Sequence, residues 1–388
     1  MRHIINTVNL LSCNLLHYFS SITGCRKNQK KILLVRLDAI GDFILWLDSA
    51  KEFRRLYPGS KITLCCNALL SDLAALLPYW DEVLPIDLRR FNKKYLYRWQ
   101  LLRAIRRADF NVAIQPTFSR SFVEGDRVIR ASRSHERIGS TGNLSNISKE
   151  RKAVSDRMYT HLVPASNEPL MELERNAEFI SNLSGKAFKA GLPKLRQLIT
   201  LPDNLKVSGE YIIIFPGASW HGRQWPIDFF AAVITHLHKS HGLQTLLCGS
   251  STERTLCQIV SDTARVTTLN FAGKTTLPEL LELIRGARLL ISNDTSAVHL
   301  AAVACVRSVC ILGGGHYGRF LPYPETVDGI KPLVAVKKMP CFNCNWQCSQ
   351  EYDQSGAVPC ISGISVKEVI NLAEQALSKP VKISSCQA

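Results

Sequence analysis

Lys31-Ile-Leu-Leu-Val-Arg36-Leu-Asp-Ala-Ile-Gly41-Asp42 is the stretch on which the reading of the fold turns. Six residues dominated by β-branched and leucine side chains read as a strand buried on both faces. The turn Leu37 to Asp42 follows, and residues 43–57 show helical spacing that stops at Pro58-Gly59. Strand, short turn and helix is the opening of a parallel βαβ unit. Working outward, the spacing predicts strands at 62–66, 82–86 and 111–115 and helices at 71–77 and 96–107. Residues 117–165 lose this rhythm and read as long polar loops around a cleft. A helix at 171–183 follows, then a Pro- and Lys-bearing crossing. The pattern restarts with strands at 211–215, 244–248, 289–292 and 308–312 and helices at 226–238, 252–261, 277–285, 296–304 and 366–377. Two successive halves of this kind imply two Rossmann-like parallel-sheet domains facing a cleft, with ligands beyond the carboxyl ends of the strands. The expected division is a leader at 1–30, domains at 31–190 and 210–340, a linker at 191–209, and a cysteine-containing segment with a last helix at 341–388.

The 388 residues are 46% hydrophobic and 21% charged, a globular composition with no sign of long disorder. Net charge is +16, and residues 89–157 alone hold 17 Lys/Arg against 6 Asp/Glu, which points to an acidic partner. No stretch reaches the roughly 18–20 apolar residues of a membrane span. Within the leader, Leu10, Leu11, Leu15, Leu16 and Phe19 fall on one side of a helix suited to lying on a membrane surface. That reading is preferred to a lipoprotein cleavage box at Ile22-Thr-Gly-Cys25. Most of the 13 cysteines, such as Cys65, Cys66, Cys248, Cys305 and Cys310, are scattered through apolar segments as buried free thiols are, which favours a reducing compartment.

Four loops at the carboxyl ends of strands carry candidate chemistry. Asp42 is either a general base facing the cleft or a cap of the helix it begins. Pro216-Gly-Ala-Ser219-Trp-His-Gly-Arg223-Gln-Trp-Pro226 offers small residues for close backbone approach and a cationic fork suited to a diphosphate. In Ser292-Asn-Asp294-Thr295-Ser296-Ala297-Val-His299 a strand gives way to a helix whose free N–H groups attract phosphate; Asp294 and Ser296 are equally good caps, and His299 reads as structural. In Gly249-Ser-Ser-Thr-Glu253 the carboxylate either holds a ribose or serves the first helical turn. No G-x-x-x-x-G-K-[ST] is present, so nucleotide-triphosphate chemistry of the P-loop kind loses support.

Taken in order, Ile32 to Asp42, Phe215-Pro-Gly-Ala-Ser219 with Arg223-Gln-Trp-Pro226, Gly249-Ser with Glu253, Phe271-Ala-Gly-Lys-Thr275 and Asn293 to His299 resemble glycosyltransferase family 9, the ADP-heptose:lipopolysaccharide heptosyltransferases. The resemblance spans residues 31 to about 375. It implies a GT-B fold, with an amino-terminal domain for acceptor, a carboxyl-terminal domain for nucleotide sugar, and an inverting transfer. Asp42 would be the base that activates the acceptor hydroxyl. Arg223 stands where the family often has a lysine that holds the leaving diphosphate. Ser219, Thr295, Ser296 and Ala297 would line the donor's phosphates, Glu253 would hold its ribose, and Asp294 belongs to the same donor-binding set. The implied donor is ADP-heptose and the implied acceptor a phosphorylated glycolipid or polysaccharide. The chain contains no D-x-D, so a divalent-cation route has no sequence support, and no cofactor is expected for catalysis.

The basic stretch fits a phosphorylated acceptor and an anionic bilayer, which places the protein in the cytoplasm, peripheral to the inner face of the membrane. Nucleic acid is not expected as a partner, because no binding motif accompanies the charge. Tyr95, Tyr97 and Trp99 interleave with Lys93, Lys94 and Arg98 as an interfacial belt or a partly buried strand edge. Cys341, Cys344, Cys348 and Cys360 cluster with a spacing that admits structural zinc, free thiols or a disulfide. The rivals are a GT-B enzyme using another nucleotide sugar, an epimerase of similar architecture, and a non-catalytic basic protein on the same fold.

Overall fold

A computed structural model describes residues 29–378. The leader's proposed surface helix therefore lies outside the described residues. The first lobe contains β1 (Lys31–Arg36), α1 (Ile40–Leu56), β2 (Lys61–Asn67), α2 (Ser71–Ala75), β3 (Glu82–Ile86), α3 (Leu88–Lys93), α4 (Tyr95–Arg107), β4 (Val112–Gln115), α5 (Gly125–Ser132), β5 (Glu136–Ser140), α6 (Lys149–Asp156), β6 (His161–Val163) and α7 (Glu172–Ser184). The second contains β7 (Tyr211–Phe215), α8 (Ile227–His241), β8 (Gln244–Leu247), α9 (Arg254–Ala264), β9 (Thr268–Asn270), α10 (Leu277–Arg285), β10 (Leu289–Asn293), α11 (Ser296–Val303), β11 (Ser308–Ile311), β12 (Leu333–Ala335), α12 (Pro359–Ser362) and α13 (Val366–Ser378).

Each lobe is built on one six-stranded parallel sheet. The orders are β3-β2-β1-β4-β5-β6 and β12-β11-β10-β7-β8-β9. Counted within its own lobe, the second order is the first one again, 3-2-1-4-5-6. Such a sheet reverses direction between its first and fourth strands, and the crevice there is where ligands bind. The two switch points are thus β1/β4 and β7/β10, and β1 and β7 are the apolar runs Ile-Leu-Leu-Val and Tyr-Ile-Ile-Ile. Both are buried because helices cover both faces of a parallel sheet.

Residues 117–165 correct the sequence reading. They are not loops but two further βα units, α5-β5 and α6-β6, that complete the first sheet. Periodicity missed them because β5 and β6 have five and three residues and begin at exposed Glu136 and His161. β9 and β12, also three residues each and unread from sequence, close the second sheet in the same way. Tyr95, Tyr97 and Trp99 lie on helix α4 rather than on a strand edge. Cys305 is disulfide-bonded rather than one of the free thiols. It follows α11 with φ 60°, partly exposed, and so lies outside the apolar core that holds Cys65, Cys66, Cys248 and Cys310.

The lobes meet through α1 and α11. One apolar cluster runs from Phe43, Ile44, Trp46 and Leu47 of α1 to Val298, Leu300 and Ala301 of α11 without a break. The crossing segment is pinned along the same seam: Gly191 N–H donates to Asp48 Oδ2 at 2.9 Å, Leu195 N–H to the Val303 carbonyl at 3.1 Å, and Leu198 N–H to Glu282 Oε1 at 2.9 Å. Where α1 begins, a Cβ on Gly41 would lie 3.1 Å from His299 Cδ2 and 3.8 Å from Ser296 Cα. A side chain here would have to push His299 aside by a few tenths of an ångström, so glycine eases the close approach of the two helices. Gly41→Val should overpack the seam and cost about 1–3 kcal/mol in urea unfolding, with both lobes' strands still formed by circular dichroism.

Candidate functional site

The turn after β1 is underlain by a buried charge. Arg36 is 1% exposed; its Nε pairs with Asp38 Oδ2 at 2.7 Å and its Nη2 with Glu172 Oε1 at 3.2 Å. The same guanidinium donates to Asn176 Oδ1 at 3.1 Å and to the Asp42 carbonyl at 3.3 Å, and lies over Trp46. Thr117, just past β4, donates its hydroxyl to Asp38 at 3.0 Å, so both strands of the first switch point meet here.

Asp42 stands in the first turn of α1, but it is not the cap. Ala39 holds that position, with no side-chain hydrogen bond. Its carboxyl is pushed up to about 7, first by burial and then by the neighbouring charges of Asp38 and Glu172; Arg36 and Arg319 oppose the rise. Glu172 is raised by its own burial. A carboxyl with such a value exchanges its proton near neutrality, which is what a general base at a strand-to-helix turn requires.

The second switch point joins two of the candidate loops. Arg223 donates to the Asp294 carbonyl at 2.7 Å, to Asp294 Oδ2 at 3.0 Å and to Ser219 Oγ at 3.1 Å. Burial raises the Asp294 carboxyl, with Arg223 and His316 pulling it back. Asn293, wholly buried, clamps the same loops: its amide donates to the Pro216 carbonyl at 2.7 Å and its oxygen accepts from Trp225 N–H at 3.0 Å. Thr295 caps α11 by accepting from Ala297 N–H at 3.3 Å, and Ser296 is the first helical residue. Glu253 completes a capping box with Ser250 through Oε2, and its Oε1 lies against Gly217.

Contacts therefore chain all four loops together: Asp42's turn abuts Ser296, Asp294 holds Arg223, and Glu253 abuts Gly217. His299 is buried and neutral; burial pushes it down to about 4, and its Nδ1 bonds the Tyr323 hydroxyl at 2.7 Å rather than backbone. Sequence reasoning missed Arg36, Glu172, Asn293 and Trp346. The last stacks on Arg223, 4.4 Å from its guanidinium carbon. It also missed Gly313-Gly-Gly-His-Tyr-Gly318, which has the G-x-G-x-x-G spacing after β11. No helix follows that run, so it is not a dinucleotide loop; side chains on Gly314 and Gly315 would collide with Phe342 and Trp346.

Cys341, Cys344, Cys348 and Cys360 line one small cavity with Phe342 and Trp346, and Gly314 N–H reaches Cys360 Sγ at 3.4 Å. All four are free thiols, and among the described residues no group of three or more His, Cys, Asp or Glu is arranged to hold a metal ion. No described helix is long and apolar enough to cross a membrane.

Two parallel sheets with opposed switch points and a cleft lined from both define the GT-B fold. The model for the family described as "Glycosyltransferase family 9 (heptosyltransferase)" matches residues 98–350, and the chain belongs to that family. The chain is 25% identical over 295 residues to the lipopolysaccharide core heptosyltransferase of Haemophilus influenzae, covering 70% of this chain and 76% of that one. Among solved structures, the family 9 glycosyltransferase of Veillonella parvula superimposes with TM-score 0.69 at 18% identity, covering 90% and 97%. The Escherichia coli heptosyltransferase solved with ADP-2-deoxy-2-fluoro heptose gives 0.62 at 15%, covering 89% and 99%.

Removing the guanidinium leaves Asp294 partly buried without its cation. Arg223→Ala should cost about 1–3 kcal/mol in urea unfolding, and Arg223→Ala combined with Asp294→Asn should recover part of that loss.

Proposed function

We propose that this enzyme moves a heptose from ADP-heptose onto a phosphorylated lipopolysaccharide-core acceptor, with inversion and without a metal, at the inner face of the cytoplasmic membrane. The observation that carries this reading is the meeting of the Asp42 turn with the amino end of α11. It sets a carboxyl titrating near neutrality beside a helix end and cation suited to a nucleoside diphosphate. The relatives named above support the choice of sugar and acceptor.

Residues 31–190 take the acceptor and 210–340 the donor. Asp42 accepts the proton of the attacking hydroxyl as the new glycosidic bond forms. The bond to the diphosphate breaks, and its oxygens keep the electron pair. Arg223, with Ser219, Thr295, Ser296 and Ala297, meets the charge left on those oxygens; fixed donors of this kind act in a cleft without reorganising. Asp294 keeps the Arg223 fork oriented. Glu253 takes the ribose hydroxyls through Oε1, the oxygen its cap leaves turned toward Gly217. This assignment separates the enzyme from a non-catalytic basic protein on the same fold, and the chain's family is one of transferases.

Asp42→Asn should lower turnover roughly a hundred- to ten-thousand-fold with ADP affinity nearly unchanged. In the wild type, kcat/KM should fall tenfold per pH unit below about 7. The same variant carries a stability signature. A carboxyl raised from 3.8 to about 7 stabilises the fold while protonated and loses that contribution as pH rises through about 7. Asp42→Asn should therefore gain melting temperature relative to wild type between about pH 4 and pH 7. Wild-type turnover at pH 6 equal to that at pH 8 would remove Asp42 as the base.

Dialysis against a chelator should leave transfer intact. Loss of activity that magnesium or manganese restores, at unchanged melting temperature, would overturn the metal-independent reading.

A further inference from the structure

A groove of about 550 Å³ lies between α4 and α5 on the outer face of the first lobe, away from the cleft-lining loops. Arg103, Arg106, Arg127, Arg130 and Arg133 line it together with Trp99. None of the five has an acidic partner among the described residues. Arg103 rests over the Trp99 ring, 5.0 Å from its centroid, and the Arg127 guanidinium is pushed down by burial and by nearby Arg98. Five like charges around one hollow repel each other, and no acidic partner among the described residues offsets them. The arrangement is complementary to an anion with several negative groups.

The same helix continues into exposed apolar surface. Tyr95, Leu96 and Trp99 are 71%, 62% and 45% exposed, within one turn of one another. α4 runs from the carboxyl end of β3 back toward the amino end of β4, so Tyr95 stands at the cleft edge of the lobe and Arg106 at the far edge. Aromatic side chains beside guanidinium groups are the pattern of a membrane interface, where rings sit at headgroup level and cations meet lipid phosphate. Leu96 offers nothing to a nucleic acid, which needs ring faces for stacking and donors for its backbone.

We propose that the α4–α5 groove docks the phosphate headgroups of an anionic bilayer, with Tyr95, Leu96 and Trp99 entering the headgroup layer. This rests on the reading of a membrane-borne acceptor, for which docking along α4 holds the cleft edge at the lipid surface. It assigns to one groove a charge that the sequence shows only as a basic stretch.

Full-length protein is sedimented with vesicles of phosphatidylcholine alone and of phosphatidylcholine with phosphatidylglycerol, across a salt series. Binding to the anionic vesicles should fall steeply with salt, and neutral vesicles should retain little. Arg103→Glu, Arg130→Glu and Arg133→Glu together should weaken anionic-vesicle binding at least about tenfold. The same three positions changed to lysine should bind nearly as wild type, and melting temperature and ADP affinity should hold in both variants. Full retention of the glutamate variant on anionic vesicles overturns the proposal. So does displacement of the wild type from vesicles by an RNA oligonucleotide at equal phosphate concentration. Should the glutamate variant prove unstable, equal weakening of the lysine variant at normal melting temperature also overturns it. Vesicle binding is read without any sugar transfer, so failure of the acceptor assignment and failure of the groove give different results.

Discussion

Two helix amino termini point into one small volume, and much of the site follows from that. α1 and α11 bring their first turns together at Gly41 and Ser296. Each carries unpaired N–H groups and the positive end of its dipole. Such an arrangement is unfavourable unless negative charge lies nearby, and the sequence supplies it in Asp38, Asp42, Glu172 and Asp294. A bound diphosphate would add to the same set. The contact therefore explains why acids crowd the seam, and it suits the same place to the anionic leaving group proposed above.

Those acids are not all paired alike. Around the β1 turn, three carboxyls face two cations, Arg36 and Arg319. Arg36 is committed to Asp38 and Glu172 by direct pairing. Asp42 has from that guanidinium a hydrogen bond to its backbone carbonyl only, and burial pushes its carboxyl up to about 7. On the other lobe Arg223 is paired to Asp294 and stacked on Trp346, so its fork is fixed before any ligand arrives. A cation aligned in advance stabilises developing charge without the cost of moving dipoles during reaction.

The parts of this architecture written in local sequence were legible. β1, β3, β7 and α10 fall at the expected residues because apolar runs bounded by turn or cap residues carry their own signal. The four loops were found because each follows such a strand. The short, partly polar strands were not legible: the pairing of β5, β6, β9 and β12 comes from the neighbouring strands rather than from their own composition. The supporting residues were hidden for a different reason. Arg36 and Glu172 are 136 residues apart, and Arg223 and Trp346 are joined only by the folded chain. Asp42 as a cap was a sound inference from residue type, defeated because Ala39 begins the helix.

The seam between α1 and α11 also bears on how firmly the cleft is held. The apolar cluster there is continuous from one lobe to the other, and the crossing segment is hydrogen-bonded along it at Gly191, Leu195 and Leu198. Pulling the lobes apart would expose that surface to water at about 25 cal/mol for each Å². The helix pair is thus a clamp: it holds the Asp42 turn against the amino end of α11, so the two switch points keep one fixed spacing while the outer rims of the lobes share none of that contact.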